Sequence, residues 1–163
     1  TRDVWLEVKP SSFINGVKIK TPEVTNAIGR VSLVPEVNLK GDFEPARLES
    51  KIFGPDGSLL ESGLGSDFVI QNPALWSPDT PSLYRLQVQM IDKSGSVVDT
   101  FKDHFGFRWY EFKPHGPFFL NGERLLLRGT HLHEDHAGFG SAMPDQQRIK
   151  DIRQIQHTGS CFQ

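Results

Sequence analysis

Sulfur chemistry and membrane helices find little support in this sequence. Its 163 residues contain a single cysteine, Cys161, so no internal disulfide can form and no zinc site built from several thiolates is possible. No apolar run approaches the ~18 residues of a membrane helix, and the first residues lack the basic start and apolar stretch of a signal peptide. The compartment stays open between cytoplasm and periplasm. Neither sign of charge dominates: 18 Lys and Arg stand against 20 Asp and Glu, a formal net charge of −2. Without a basic stripe or a long block of like charge, nucleic acid and acidic membrane surfaces are poor partners. The hydrophobic fraction of 37% is modest, but the chain is long enough for one packed domain of roughly 100–150 residues and a remainder.

Turn formers are plentiful, with 15 glycines and 11 prolines. Between them runs a pattern of short strands. Val4–Val8 reads as a strand that stops at Pro10. Gly29–Lys40 alternates Val31, Leu33, Val37 and Leu39 with polar residues, interrupted by Pro35. Arg47–Phe53 alternates again and closes at the turn Gly54-Pro55-Asp56-Gly57. Asp67–Ile70 is short. In Leu83–Ile91, Leu86, Val88 and Met90 share one face and Arg85, Gln87 and Gln89 the other, the period of a half-buried strand. Asp92-Lys93-Ser94-Gly95 turns the chain into Val97–Phe107. About seven such strands predict an all-β sandwich.

Near Lys113-Pro114-His115-Gly116-Pro117 the texture changes, as at a linker. Asn121-Gly122 between apolar runs predicts a hairpin, because both residues tolerate the positive φ of a type I′ turn. Leu125–Leu127 reads as a strand covered on both faces. The spacing of Ile149, Ile152 and Ile155 then predicts a helix over 144–158. Pro144 suits its first position, Asp145 its positive end and Gly159 its C-cap, while Arg153 and His157 suit its negative end.

Several segments, in order, resemble glycoside hydrolase family 2 of the β-galactosidase type. Arg2-Asp3-Val4-Trp5-Leu6 is similar to the exit of that family's N-terminal jelly roll. Asn72-Pro73-Ala74-Leu75-Trp76-Ser77-Pro78-Asp79-Thr80-Pro81-Ser82-Leu83-Tyr84 and Phe105-Gly106-Phe107-Arg108 resemble its sandwich. Phe118-Phe119-Leu120-Asn121-Gly122 and Arg128-Gly129-Thr130-His131-Leu132-His133-Glu134-Asp135-His136 resemble the start of its catalytic barrel. The resemblance implies a mainly β fold: an immunoglobulin-like sandwich with a C-terminal partial βα unit of a (β/α)8 barrel. It implies boundaries at 1–9 (last jelly-roll strand), 10–113 (sandwich) and 114–163 (barrel start). It further implies a parent enzyme that hydrolyses β-galactosides or related sugars with retention, through two glutamates on later barrel strands. No catalytic residue is then expected in this chain, which would be inactive alone. No cofactor is expected for this stretch, and Mg or Na ions are expected for the parent.

The one cluster able to carry chemistry is His131–His136. By the resemblance, His133 contacts the sugar at the barrel rim, with His131, Asp135 and His136 as further candidates and Glu134 structural. The family often has Asn-Arg-His-Glu where this chain has His131-Leu132-His133-Glu134, which removes a fixed cation. A rival reading takes His131-x-His133-x-Asp135-His136 as the ligand spacing of a metal-dependent hydrolase, with open positions activating water. It needs further ligands, and few residues follow. Glu134 and Asp135 cannot serve as the glycosidase pair if the chain is extended, because neighbours point to opposite faces. A stand-alone carbohydrate-binding module is the other alternative. Trp5, Trp76 and Trp109 read as core or interface aromatics before sugar platforms. Cys161 has no nameable partner base and reads as a small buried or terminal residue. Helix 144–158 is expected to pack on the sandwich, to form a homodimer or to remain exposed.

Overall fold

The computed structural model describes residues 6–41, 45, 47–129, 135–140 and 142–157. By internal contacts the chain divides into two units. One spans Val8–Tyr110 with Leu120–Gly122, and the other comprises Thr1–Glu7, Glu111–Phe119 and Glu123–Gln163.

The first unit is a seven-stranded sandwich. Strands β1 (Phe13–Val24), β2 (Ile28–Asn38) and β5 (Asp67–Gln71) make one sheet in the order β1-β2-β5. Strands β3 (Arg47–Phe53), β4 (Leu59–Gly63), β6 (Tyr84–Ile91) and β7 (Val97–Phe105) make the other in the order β4-β3-β6-β7. Each pairing with a recorded register is antiparallel. The core follows the period of two. Val31 and Leu33 of β2, Ile52 of β3, Phe68 and Ile70 of β5, and Tyr84, Leu86, Val88 and Met90 of β6 are all buried in one cluster with Ile14, Phe105 and Phe107. A fully buried side chain of this size contributes about 1.5–3 kcal/mol. Along one side the sheets are tied together where the Ile14 amide donates to Asp99 Oδ2 at 2.8 Å.

The mainly β sandwich is as expected, but several elements differ from the sequence reading. Strand β1 was not anticipated. Its Asn15-Gly16 and Thr21-Pro22 read as turn punctuation, yet both lie at irregularities of a continuing ladder with β2, between Ile14 and Gly16 and between Lys20 and Glu23. Strand β4 was also missed. Pro35 does not break β2. It pairs with Val17, past the stretch Ile28–Ser32 that faces β5, so its missing N–H falls where that side of β2 is an edge. The expected strand over Val4–Val8 is not seen in its described part. Leu6 and Val8 are 91% and 86% exposed and unpaired into any sheet, and an isolated strand has no ladder to stabilise it.

In the second unit, β8 (Tyr110–Phe112), β9 (Phe118–Leu120) and β10 (Glu123–Leu125) form a small sheet in the order β10-β9-β8, its strand ends shared with the sandwich unit. The Pro/Gly-rich stretch at 113–117 is the tight loop joining β8 to β9, with Gly116 N donating to the Lys113 carbonyl at 2.9 Å. The Asn121-Gly122 hairpin forms as expected, with φ of 53° and 84°. Leu126 and Leu127, by contrast, are exposed and outside any strand. A strand covered on both faces needs neighbours, and among the described residues none pairs with them. Helix α1 (Asp145–His157) matches the expected helix within a residue, with Pro144 capping it through its carbonyl. The isoleucine stripe is covered only in part. Ile149 and Ile152 are 48% and 39% exposed, while the half-buried positions run along Gln147, Asp151 and Ile155.

Candidate functional site

Of the histidine cluster, Thr130, His131, Leu132, His133 and Glu134 lie outside the described residues, as do Trp5 and Cys161. Asp135 and His136 are described. Asp135 is exposed and His136 half-buried. His136 opens a tight loop that Gly140 closes: Gly140 N donates to the His136 carbonyl at 2.8 Å and His136 N to the Gly140 carbonyl at 3.3 Å. The reversal depends on positive φ at Gly138 (90°) and Gly140 (55°). His136 Nδ1 lies 2.9 Å from the Ala137 carbonyl. A carbonyl only accepts, so Nδ1 is the donor in this contact. The Phe139 ring lies 5.9 Å from the imidazole. Among the described residues no group of three His, Cys, Asp or Glu side chains could hold a metal ion.

A second constellation sits within the sandwich unit, and it explains the Leu75–Tyr84 and Phe105–Arg108 segments. Tyr84, at the start of β6, is buried with its ring against Phe105 and Phe107. Its hydroxyl accepts a 2.7 Å bond from Ala74 N, ten residues earlier. The bond ties the loop between β5 and β6 back onto the start of β6. Burial pushes the phenol above its ordinary pKa. Two residues on, Trp76 N donates to the Phe107 carbonyl at 2.8 Å, and the Arg108 guanidinium lies 4.7 Å over the Trp76 ring. That ring is half-buried and has a cation over one face. Ser77 and Thr80 close the intervening loop, and Pro81 returns to bridge Trp76.

Asn121 completes the constellation. Its backbone N donates to the Trp109 carbonyl at 2.9 Å, and its side-chain Oδ1 accepts from Trp109 N at 3.1 Å. Its Nδ2 donates to the Trp76 carbonyl at 3.0 Å. The Trp109 indole lies beside Gly122, 3.9 Å from where a Cβ would stand. Sequence reasoning found Asn121 as a turn former and missed this staple. The Asn-Gly signal is local, whereas the Trp76 partner is 45 positions away.

A family model described as "Glycosyl hydrolases family 2" matches residues 12–108, more than half of the chain. The chain belongs to glycosyl hydrolases family 2. A putative β-glucuronidase of Formosa agariphila is 39% identical over 174 residues, covering 99% of this chain and 20% of the relative. A β-galactosidase of Thermoanaerobacter pseudethanolicus is 26% identical over 160 residues, covering 92% of this chain and 21% of the relative. The crystal structure of Parabacteroides merdae β-glucuronidase superposes with a TM-score of 0.81 at 31% identity, over 93% of this chain and 20% of that one. This family 2 chain therefore spans about a fifth of the length of the curated relatives it matches. The matched region 12–108 contains the whole sandwich and the Trp76–Arg108 contacts. The metal-hydrolase and stand-alone binding-module readings gain no support from any of these relatives.

Proposed function

We propose that this chain is the immunoglobulin-like sandwich and the barrel entrance of a retaining β-glycosidase acting on β-galactosides or β-glucuronides. The observation that carries the reading is the continuity of likeness past the sandwich: similarity to β-glucuronidases extends over 93–99% of the chain, not only residues 12–108. In this reading residues 1–9 end a jelly roll, 10–113 are the sandwich and 114–163 begin the catalytic barrel. His133 is the sugar contact on the barrel rim, the position where barrel enzymes build their sites. His131, Asp135 and His136 flank it, and the Gly138/Gly140 loop holds His136 in place. Two glutamates on later barrel strands cleave the bond, roughly 5–5.5 Å apart as retention requires. The exposed Ile149 and Ile152 are the surface that barrel strands cover in the whole enzyme, or that a second copy covers if the chain stands alone. The parent enzyme uses Mg or Na ions in this reading.

The test is an assay of the whole enzyme on 4-nitrophenyl β-galactoside and β-glucuronide, with the product anomer followed by NMR. Turnover of at least one substrate with retained configuration is expected, and none from the 163-residue chain. A His133→Ala enzyme is expected to lose about tenfold or more in kcat/KM, a loss of one polar substrate contact. Inversion of the anomer, turnover by the chain alone, or an unchanged His133→Ala enzyme would contradict the reading.

A further inference from the structure

We infer that Asn121 is a positioning residue: its side-chain amide pins the hairpin turn to the sandwich through Trp76 and Trp109, and so fixes where the chain enters the residues that lead to His133. The inference rests on the proposed glycosidase reading for its effect on activity, but its geometry stands without it.

The Asn-Gly turn would form without any help from the Asn121 side chain. Asn121 and Gly122 both adopt positive φ, and glycine could take either place. The side chain is doing something besides allowing the turn. The Trp109 carbonyl receives the Asn121 amide at 2.9 Å, but Trp109 N donates to the Asn121 side chain and not to its carbonyl. Asn121 Oδ1 accepts that bond at 3.1 Å, so the side chain substitutes for one rung. The other half of the same amide donates to the Trp76 carbonyl at 3.0 Å, and Trp76 itself is tied to Phe107 by its own amide. One planar group thus joins three segments of the sandwich unit that are far apart in sequence: Leu75–Trp76, Phe107–Trp109 and Leu120–Gly122. An amide is the side chain that suits this place. It must accept on one side and donate on the other, and aspartate can only accept.

Beyond the turn, β10 ends at Leu125, and the chain runs through Leu126–Gly129 without a strand. No other hydrogen bond from a side chain in 122–129 holds this exit among the described residues. Among the described residues the staple is therefore the last side-chain hydrogen bond before the chain continues through β10, paired with β9, toward the candidate sugar contact. Misplacing a reacting group by about an ångström can cost on the order of a hundredfold in rate.

Three variants separate positioning from stability. Asn121→Gly keeps the positive φ and removes both side-chain bonds. Asn121→Asp keeps the bond to Trp109 and replaces the donor to Trp76 with an acceptor. Asp99→Ala removes the bond to Ile14 N, a cost to the sandwich at a place remote in sequence from the turn. In the whole enzyme, Asn121→Gly and Asn121→Asp are expected to lower kcat/KM about tenfold or more, whereas Asp99→Ala lowers the melting temperature with kcat/KM within about twofold. In the 163-residue chain, hydrogen exchange is expected to accelerate at Trp109 and Glu123–Leu125 in Asn121→Gly and to stay unchanged in β6. Unchanged exchange at those amides overturns the inference whatever the enzyme does. Equal loss of activity in the Asn121 and Asp99 variants overturns it as well, because stability alone would then account for the effect. If the wild-type whole enzyme turns over neither sugar, the proposed function fails while the exchange result still decides the staple.

Discussion

Gly29 occupies a buried position in β2 where a side chain would meet the Phe107 ring. A Cβ there would stand 2.6–2.9 Å from three ring carbons, closer than real contacts allow. Glycine in a strand marks such a close approach. Gly29→Ala is expected to destabilise the sandwich by about 1–3 kcal/mol through overpacking, read as a drop in the urea midpoint at constant slope. Phe107 is locked edge-on between Tyr84 and Phe105, at ring separations of 4.9 and 5.4 Å, so it has little room to retreat. Tyr84 gives a second expectation. Tyr84→Phe leaves the Ala74 amide without its partner, at a cost of about 1–3 kcal/mol. The phenol also makes stability depend on pH. Burial, the largest cause, raises its folded-state pKa above the ordinary 10.0. The fold then holds the proton more tightly than the unfolded chain, so this contribution is complete below pH 10.0 and is lost as pH rises through the folded value. Urea melts at pH 8 and pH 11 are expected to show that alkaline loss in the wild type and a smaller one in Tyr84→Phe.

Elements were legible in proportion to how cleanly they alternate. Strand β6, with Tyr84, Leu86, Val88 and Met90 inward, is legible to within a residue, and β3 over its whole range Arg47–Phe53. Strand β1 is not, because its two breakers are absorbed at ladder irregularities that only a partner strand can reveal. Leu125–Leu127 was read too far, since an apolar run records the wish for cover and not its presence. The β6–β7 turn was legible for a chemical reason. Asp92 Oδ1 accepts from Ser94 N at 2.8 Å, Ser94 Oγ at 2.7 Å and Ser96 N at 2.9 Å, and these bonds hold its carboxyl below the usual range. A lowered folded pKa means the benefit is present above the ordinary value of 3.8 and lost as pH falls through the folded one. Protection factors of the Ser94 and Ser96 amides, exchange corrected for the intrinsic rate at each pH, are expected to fall with acidification below about pH 4, while those of the central amides of β6 hold. Asp92→Asn should remove that fall.

At the scale of the whole molecule, every residue of the buried core cluster belongs to the sandwich unit, between Ile14 and Phe107. The sandwich should therefore fold without the residues after β10. Deleting residues 126–163 is expected to shift its melting temperature by less than about 4 °C, equivalent to under roughly 1 kcal/mol, as checked by calorimetry. A larger drop would mean that the later residues support the core after all. The candidate sugar site behaves differently. His133 is recognisable only by its place in the family pattern, and its work depends on acids that the reading puts on other strands.

Strand periodicity, turn chemistry and the order of the family segments were enough to establish a mainly β sandwich and to point to a glycosidase, because burial on a pleated sheet imposes a period of two and tight turns demand particular residues. Tertiary structure alone decided that Asn121 bonds to Trp76, that Tyr84 bonds to Ala74 and that Phe107 fills the space over Gly29. Those contacts join positions far apart in sequence or use a single atom of a common residue. No local pattern encodes them; they exist only once the chain has folded.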